Sequence, residues 1–325
     1  MLKLSLIYGT INIGDCMLYT HISQKKTSKL VMGTDYMGTL VPENDVMNLF
    51  DCYYNLGGNH FDTAHLYCRG ESERLVGKWL KTKNRDDIFV STKGGHPPLS
   101  DMTVSRLDEK DLRCDIEESL KRLNEEYVDL YYLHRDDINR PAGEIIETLN
   151  KFIKEGKTKA IGCSNWRAER IKEANDYAKE HNLECFIASQ IKWSLAVTAP
   201  CFSDDPTLVE MDERELEFYK ASGMKVVAFA SQAKGFFSKY ENGNLDGKAK
   251  ERYLWEKNVA RFESAKKIAL EHNVPVAAIV VSYIISQKNP DSLPIVGCKN
   301  INQLKDTAFC CDLVLSDEEI KKLNI

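Results

Sequence analysis

What the chain has little of narrows its function first. It carries 44 Lys and Arg against 49 Asp and Glu, a formal net charge of -5 over 325 residues. Phosphate neutralisation needs a basic face, so no nucleic-acid partner is expected. The one short basic cluster, 25–29 ("KKTSK"), reads as a solvated turn. Long hydrophobic runs are missing too. The longest, 274–285 ("VPVAAIVVSYII"), falls far short of the roughly 20 residues a membrane span requires, which excludes a membrane partner by this pattern. None of the 10 cysteines lies in a C-x-x-C pair, so free thiols in a reducing compartment are expected. The start, "MLKLSLIYGTINIGD", is too briefly apolar for a secretory leader; together these features predict a cytoplasmic protein. No His/Asp/Glu/Cys cluster has metal-ligand spacing, so no metal is expected. Neither a P-loop lysine nor a G-x-G-x-x-G after the first strand is present ("VMGTDYMG").

What is there is alternation. Eight short apolar or β-branched runs predict strands at 29–33, 60–63, 88–93, 128–134, 159–164, 185–190, 225–230 and 293–297. Helical spacing fills the gaps. One segment sets Val46, Leu49, Phe50 and Tyr53 on one face; another sets Leu112, Ile116, Leu120 and Leu123 on one face. A further helix is expected from Asp205 as N-cap, with Pro206 at its first position and Gly223 as its stop. Alternating β and α with buried strands implies a parallel sheet. Eight units and no second pattern predict an α/β fold, a closed (β/α)₈ barrel over 1–325 as one domain. Residues 1–27 would precede the barrel, "KLSLIY" and "MLYTHI" pairing as a hairpin under its floor. Long connections follow the sixth strand (191–205) and the seventh (235–252); such loops are usually functional or disordered.

Barrel chemistry collects at the C-terminal ends of the strands, and polar residues stand there in series. Asp62, Lys93, His134, Ser164 with Asn165, and Gln190 end strands two to six, with Tyr67 in the loop after Asp62. Alone, each reads as a cap, a solvated lysine or a rim histidine. Together they read as one mouth. A nearby ammonium would lower the pKa of a tyrosine; Asp62 could hold the Lys93 ammonium, and His134 could bond a substrate oxygen. The set suits proton transfer to or from an oxygen on carbon. It lacks a redox partner, which a bound hydride donor would supply.

These motifs resemble the aldo-keto reductase family. "NHFDTAHLYCRGESERLVGKWL" is similar to its Asp-Thr-Ala…Tyr…Gly…Ser-Glu signature, "STKGG" to its lysine motif and "YLHRDD" to its histidine motif. "GCSNW", "ASQIKWSL", "AFASQAKGFF" and "PIVGCKNINQL" follow in family order. The resemblance implies that Tyr67 is the general acid, Lys93 lowers its pKa, Asp62 pairs with Lys93 and His134 orients the carbonyl. It implies a nicotinamide stacked on Phe229, its carboxamide held by Ser164, Asn165 and Gln190, its ribose flanked by Gly33, Thr34 and Asp35. Ala230, Ser231, Gln232 and Gly235 would follow the pyrophosphate, and Gly297, Lys299 and Gln303 the adenosine phosphate. Departures are visible: the family's Ser-Pro-Leu is Ala230-Ser231-Gln232, and Gln303 stands where many members place an arginine. NADP(H) is the cofactor implied, with NAD(H) less excluded than usual. Cys298 reads as a small packing residue.

The expected partner is a small-molecule carbonyl substrate. Tyr36, Met37, Trp166 and Trp193 are candidate pocket walls, each equally readable as packing. Asp204 and Asp205 could meet sugar hydroxyls, or cap a helix. The segment 238–255 ("SKYENGNLDGKAKERYLW") reads as a flap over the cofactor, made mobile by Gly243 and Gly247. Two rival functions use the same barrel: a non-catalytic nicotinamide-binding regulatory protein, like the potassium-channel beta subunits, and a Schiff-base lyase on Lys93. An ammonium paired with Asp62 is a poor amine nucleophile. The sequence leaves the oligomeric state open.

Overall fold

The computed structural model describes residues 3–6, 9–12, 17–203 and 205–325, with the backbone alone described for the first two segments. Eight strands pair in sequence order: β1 (Val31–Gly33), β2 (His60–Asp62), β3 (Phe89–Gly94), β4 (Leu130–Leu133), β5 (Ile161–Ser164), β6 (Phe186–Lys192), β7 (Lys225–Phe229) and β8 (Ser292–Val296). Each is parallel to the next, and β8 returns to β1, closing the barrel. The expected (β/α)₈ architecture is therefore present.

The helices form where apolar spacing and end signals agree. In α1 (Glu43–Asn55) the buried side chains are Val46, Leu49, Phe50 and Tyr53, the stripe expected from spacing. After α2 (Glu71–Leu80), α3 (Glu109–Leu123) starts where the Asp108 carboxylate accepts the Asp111 N–H, and it buries Leu112, Ile116, Leu120 and Leu123. Next come α4 (Ala142–Lys154) and α5 (Ala168–Glu180). The following helix, α6, spans Glu213–Ser222, with Asp212 as N-cap in place of the expected Asp205. The cause is tertiary. Lys192 at the end of β6 donates its N–H to Val209 O and accepts from Met211 N–H, drawing 209–211 out as extended chain. Asp205 instead closes a turn, accepting from the Thr207 N–H and hydroxyl.

The connection after β7, expected as a flap over the cofactor, is helical in part. It holds α7 (Phe236–Glu241) and α8 (Gly247–Tyr253), which bury Phe236, Phe237 and Tyr253. Helices α9 (Glu256–His272), α10 (Val276–Ile285), α11 (Ile301–Ala308) and α12 (Asp317–Leu323) complete the chain. The apolar 274–285 run is mostly α10, buried at nine positions. No single described helix is long and apolar enough to cross a membrane.

A hairpin does precede the barrel, but its pairing differs from expectation. Tyr19–Ile22 pairs with Lys25–Ser28, and Lys3–Leu6 with Gly9–Asn12. The "KKTSK" stretch is thus largely strand, with Thr27 and Ser28 buried. Lys25 Nζ donates to Ile88 O at 2.6 Å and to Asp129 at 2.9 Å, which fastens the hairpin beneath the barrel. Ile22 then enters the floor, packed with Val31, Phe89, Leu130, Tyr132, Ala160, Ala188, Val227 and Leu293. An apolar plug closes one end, leaving the polar residues to the other. Truncation at Ile22→Ala should cost about 3 kcal/mol of stability, since large-to-small changes at buried sites lose transfer and cavity energy. A denaturant midpoint that does not move would show that the hairpin is not part of the cooperative fold.

Candidate functional site

The barrel register sets the mouth. Gly33 pairs with Asp62, and Asp62 with Ser91, so the ends of β1 to β3 lie level. Lys93 is the fifth residue of β3. His134 follows β4 directly and donates its N–H to Gly94 O at 2.8 Å; Asn165 follows β5 and donates to Gln190 O at 3.0 Å. Tyr67 reaches the same space from a turn after β2. Cys68, Arg69 and Gly70 are all left-handed there, with φ of 48°, 57° and 87°. Non-glycine residues in that region carry strain that surrounding contacts must hold. Ser72 Oγ donates to Thr34 O and Met37 O, and the buried Glu73 accepts from Thr92 and pairs with Arg122. Arg122 also donates to His65 O at 3.0 Å. The Gly…Ser-Glu part of the motif therefore clamps the turn that presents Tyr67.

Asp62, Lys93, Tyr67 and His134 converge as expected. Lys93 Nζ donates to Asp62 Oδ2 at 2.5 Å, to Thr63 O at 2.8 Å and to Tyr67 Oη at 3.2 Å. Asp62 Oδ1 accepts from Ser91 Oγ at 2.9 Å and Gln190 Nε2 at 2.6 Å. The His134 ring meets Tyr67 edge-on, centroids 5.7 Å apart. Burial opposes the Lys93 charge, yet Asp62 and Tyr67 outweigh it and hold the ammonium above its ordinary pKa. Lys93 acts on Tyr67 in the expected direction, and burial opposes it. Burial raises the phenol, Lys93 pulls it down, and burial prevails. At neutral pH Tyr67 is a protonated donor. Burial, then the Lys93 and Arg135 charges and His96, holds His134 well below its ordinary value, so the ring is neutral. Its Nδ1 is buried with no hydrogen-bond partner. A buried N–H without an acceptor is costly, which favours the proton on Nε2 and makes that nitrogen a donor toward the mouth.

The residues expected to hold a nicotinamide nucleotide are spread over β1, β5, β6, β7 and β8 and the loops that follow them. Near β1, Thr34 is buried and bonded to Asp62 O, while Asp35 stands exposed at the rim. Ser164, Asn165 and Gln190 sit together at the ends of β5 and β6, but their amides are already occupied. Gln190 Nε2 is on Asp62; Asn165 Nδ2 donates to His134 O at 3.2 Å and to Ser164 Oγ at 3.1 Å. Phe229 ends β7 half-buried. Beyond it, Ser231 Oγ donates to Ile295 O and Gln232 Nε2 to Thr307 Oγ1, so both side chains brace the loop itself. Ala230, Ala233, Lys234 and Gly235 have φ of 53°, 49°, 55° and 77°; such left-handed residues build backbone nests for anions. At the outer end Gly297 is exposed, and a Cβ there would meet Asp35 and Tyr36 at no closer than 3.6 Å. Lys299 is exposed; Cys298 is buried, its thiol pushed up to about 12 by burial. Gln303 folds back, its Oε1 accepting the Lys299 N–H at 2.8 Å. A half-buried aromatic at the end of β7, a left-handed loop after it and an exposed lysine after β8 suit a nicotinamide nucleotide.

The four candidate pocket walls are packed to different extents. Trp166 is fully buried, donates to Arg135 O and packs edge-on against Phe186. Trp193 is largely buried in the outer core, its ring edge-on to Tyr283. Tyr36 lies under Lys299, whose Nζ is 5.0 Å from the ring centroid. Met37 is core. Asp204 lies outside the described residues. The structure also brings up two residues to which no role was assigned. His96, in the loop after β3, meets the His134 ring edge-on at 4.8 Å. Arg135, 9% exposed, donates to Thr207 Oγ1 at 2.9 Å and His134 O at 2.9 Å, with Asp205 3.5 Å away. The available signal was adjacency: His96 stands three residues after Lys93, and Arg135 follows His134.

A protonated phenol on a buried lysine, beside a neutral imidazole at a barrel mouth, suits an oxidoreductase that protonates a carbonyl oxygen while another group delivers hydride. Comparison with known proteins gives the family: residues 29–325 match the aldo/keto reductase family, and the chain belongs to it. A norsolorinic acid reductase of Aspergillus flavus is 29% identical over 284 residues, covering 85% of this chain and 70% of that protein. An aryl-alcohol dehydrogenase of Pestalotiopsis microspora is 30% identical over 291 residues, again covering 85% and 70%. A thermostable aldo-keto reductase solved with the inhibitor epalrestat shares the fold, with a TM-score of 0.73 at 24% identity over 95% of this chain and 99% of that one. The protein is thus an oxidoreductase that transfers hydride from a nicotinamide cofactor to an aldehyde or ketone.

Buried neutral histidines give this site an acid-sensitive stability. His60, below Asp62 in β2, is pushed down to about 3 by burial and by Lys93, and His134 is shifted the same way. Below pH 6.5 the unfolded chain binds protons that these folded rings refuse, so stability rises with pH through the window from about 3 to 6.5. Each ring should remove up to about 1.4 kcal/mol per pH unit on acidification. Denaturant midpoints at pH 7 and pH 5 check this, and His60→Asn should flatten the slope.

Proposed function

We propose that this reductase uses NADP(H), with Tyr67 as the proton donor. The observation that carries this reading is the hydrogen-bonded line Asp62–Lys93–Tyr67, at 2.5 and 3.2 Å, ending beside the His134 ring. A carbonyl oxygen between Tyr67 Oη and His134 Nε2 would receive one hydrogen bond from each. The bound nucleotide supplies the hydride. As the carbonyl carbon accepts it, the Tyr67 proton moves to the oxygen, so no free alkoxide forms. Lys93 then stabilises the phenolate until it is reprotonated from solvent. Asp62 keeps the ammonium charged and aimed; the same charge makes Lys93 a poor Schiff-base nucleophile.

For the nucleotide, Lys299 is the charge assigned to the 2′-phosphate, since the Gln303 amide oxygen is taken by the Lys299 N–H. Ser164, Asn165, Gln190 and Phe229 are assigned to the nicotinamide, with Gln190 and Asn165 exchanging present partners for the carboxamide. Thr34 and Asp35 are assigned to its ribose. Gly33 has a different duty: a Cβ there would come within 2.6 Å of Ile295 Cγ2, so glycine keeps β1 against β8. The substrate is assigned to polar, sugar-like carbonyls, supported by His96, Arg135 and Thr207 where indoles were expected. The described cysteines are all free, which supports a reducing, cytoplasmic location. The chain is read as one barrel domain.

Tyr67→Phe should lower carbonyl reduction by at least about 100-fold, the scale of general acid catalysis, while nucleotide affinity by fluorescence quenching stays nearly unchanged. Retained turnover would remove Tyr67 from the role; tight nucleotide binding without turnover in the wild type would favour the regulatory reading. Lys299→Ala should weaken NADPH about 10-fold, the upper range for losing a charge-assisted bond, and NADH far less. An equal loss for both would mean that Lys299 does not meet the 2′-phosphate.

A further inference from the structure

We infer that His96 is a specificity-determining residue that accepts a hydrogen bond from a hydroxyl on the carbon next to the reacting carbonyl. This rests on the carbonyl position proposed above, between Tyr67 and His134. His96 Nδ1 lies 2.6 Å from Pro97 O. A carbonyl oxygen can only accept, so the proton of the His96 ring is on Nδ1. Burial outweighs that hydrogen bond and lowers the ring's pKa, so it is neutral. Nε2 then carries a lone pair. It makes no hydrogen bond to a described residue, yet it is not among the sealed, unpartnered atoms of the core. The ring as a whole is 8% exposed. An acceptor is thus fixed in a nearly closed wall beside the His134 ring, with no hydrogen bond to a described residue.

His134 has the opposite polarity. Its Nδ1 is the sealed, unpartnered atom, which leaves Nε2–H as a donor. The two imidazoles stand edge to face, 4.8 Å between centroids at 77°. One ring offers a proton and its neighbour a lone pair. An α-hydroxy aldehyde or ketone presents the matching pair, a carbonyl oxygen that accepts and, one C–C bond away, a hydroxyl that donates. A plain ketone leaves the His96 lone pair without a partner once water is expelled, and an ether oxygen at that place sets two acceptors against each other. The preference is therefore for a hydroxyl hydrogen, not for polarity as such.

Hydroxyacetone and methoxyacetone separate these, because both carry an electron-withdrawing oxygen and only one carries the proton. The corresponding pair of phenyl ketones, 2-hydroxyacetophenone and 2-methoxyacetophenone, covers aromatic carbonyls. Wild-type kcat/KM should favour the hydroxy member by about 10-fold, the yield of one well-placed hydrogen bond. His96→Phe, which keeps a ring against His134, should bring the ratio near one; His96→Gln, whose amide oxygen also accepts, should restore part of it. Independently, imidazole ¹⁵N shifts of the wild-type protein should show His96 as the Nδ1–H tautomer, and the Nε2–H tautomer would overturn the inference whatever the variants do. Tyr67-dependent reduction at equal rates, or a ratio unmoved by His96→Phe, overturns this inference and leaves the reductase site intact. Failure to reduce either pair in a Tyr67-dependent way overturns both.

Discussion

The buried contact between Asp62 and Lys93 is the constraint on which the rest of the mouth depends. Both side chains are about 2% exposed. Withdrawing two charges from water costs several kcal/mol each unless their remaining hydrogen-bonding capacity is met. Here it is met by geometry. The three ammonium protons go to Asp62, Thr63 O and Tyr67; the carboxylate takes Lys93, Ser91 and Gln190. Those partners belong to β2, β3, β6 and the Tyr67 turn. An ion pair that must be saturated in this way fixes the positions of every element that saturates it.

The same economy holds on the histidine side. His134 O accepts from both Arg135 and Asn165, and Asn165 Oδ1 accepts from Val209 N–H. Arg135 reaches on to Thr207 and Asp205. The long connection after β6 is therefore bonded to the backbone that carries the His134 ring. Its extended run along Lys192, which displaces the start of α6, is part of that attachment. The loop is coupled to the His134 face by four side chains, Arg135, Asn165, Thr207 and Asp205.

Floor and mouth have opposite chemistries, and this division separates stability from function along the barrel axis. The floor is apolar and plugged by Ile22 from the 19–28 hairpin. The mouth concentrates buried polar groups, a strained left-handed turn after Tyr67 and another after Phe229. Strain of this kind persists only where the surroundings over-determine it, and the Ser72, Glu73 and Ser231 contacts do so.

The sequence by itself determined the barrel, the buried faces of α1 and α3, and the strand-end residues Asp62, Lys93 and His134 with Tyr67 in its loop. These follow from local period and from motif spacing, which neighbours in the chain are enough to define. Only the tertiary structure decided where Trp166 and Trp193 turn, that α6 starts at Asp212, how the N-terminal strands pair, and that burial outweighs Lys93 at the Tyr67 phenol. It alone brought His96 and Arg135 to the mouth. The physical reason is common to all of them. An indole, a histidine or an arginine after a strand has the same local pattern whether it faces core or cleft. Its burial, its protonation state and its partners are set by side chains from distant segments, and those meet only when the barrel closes.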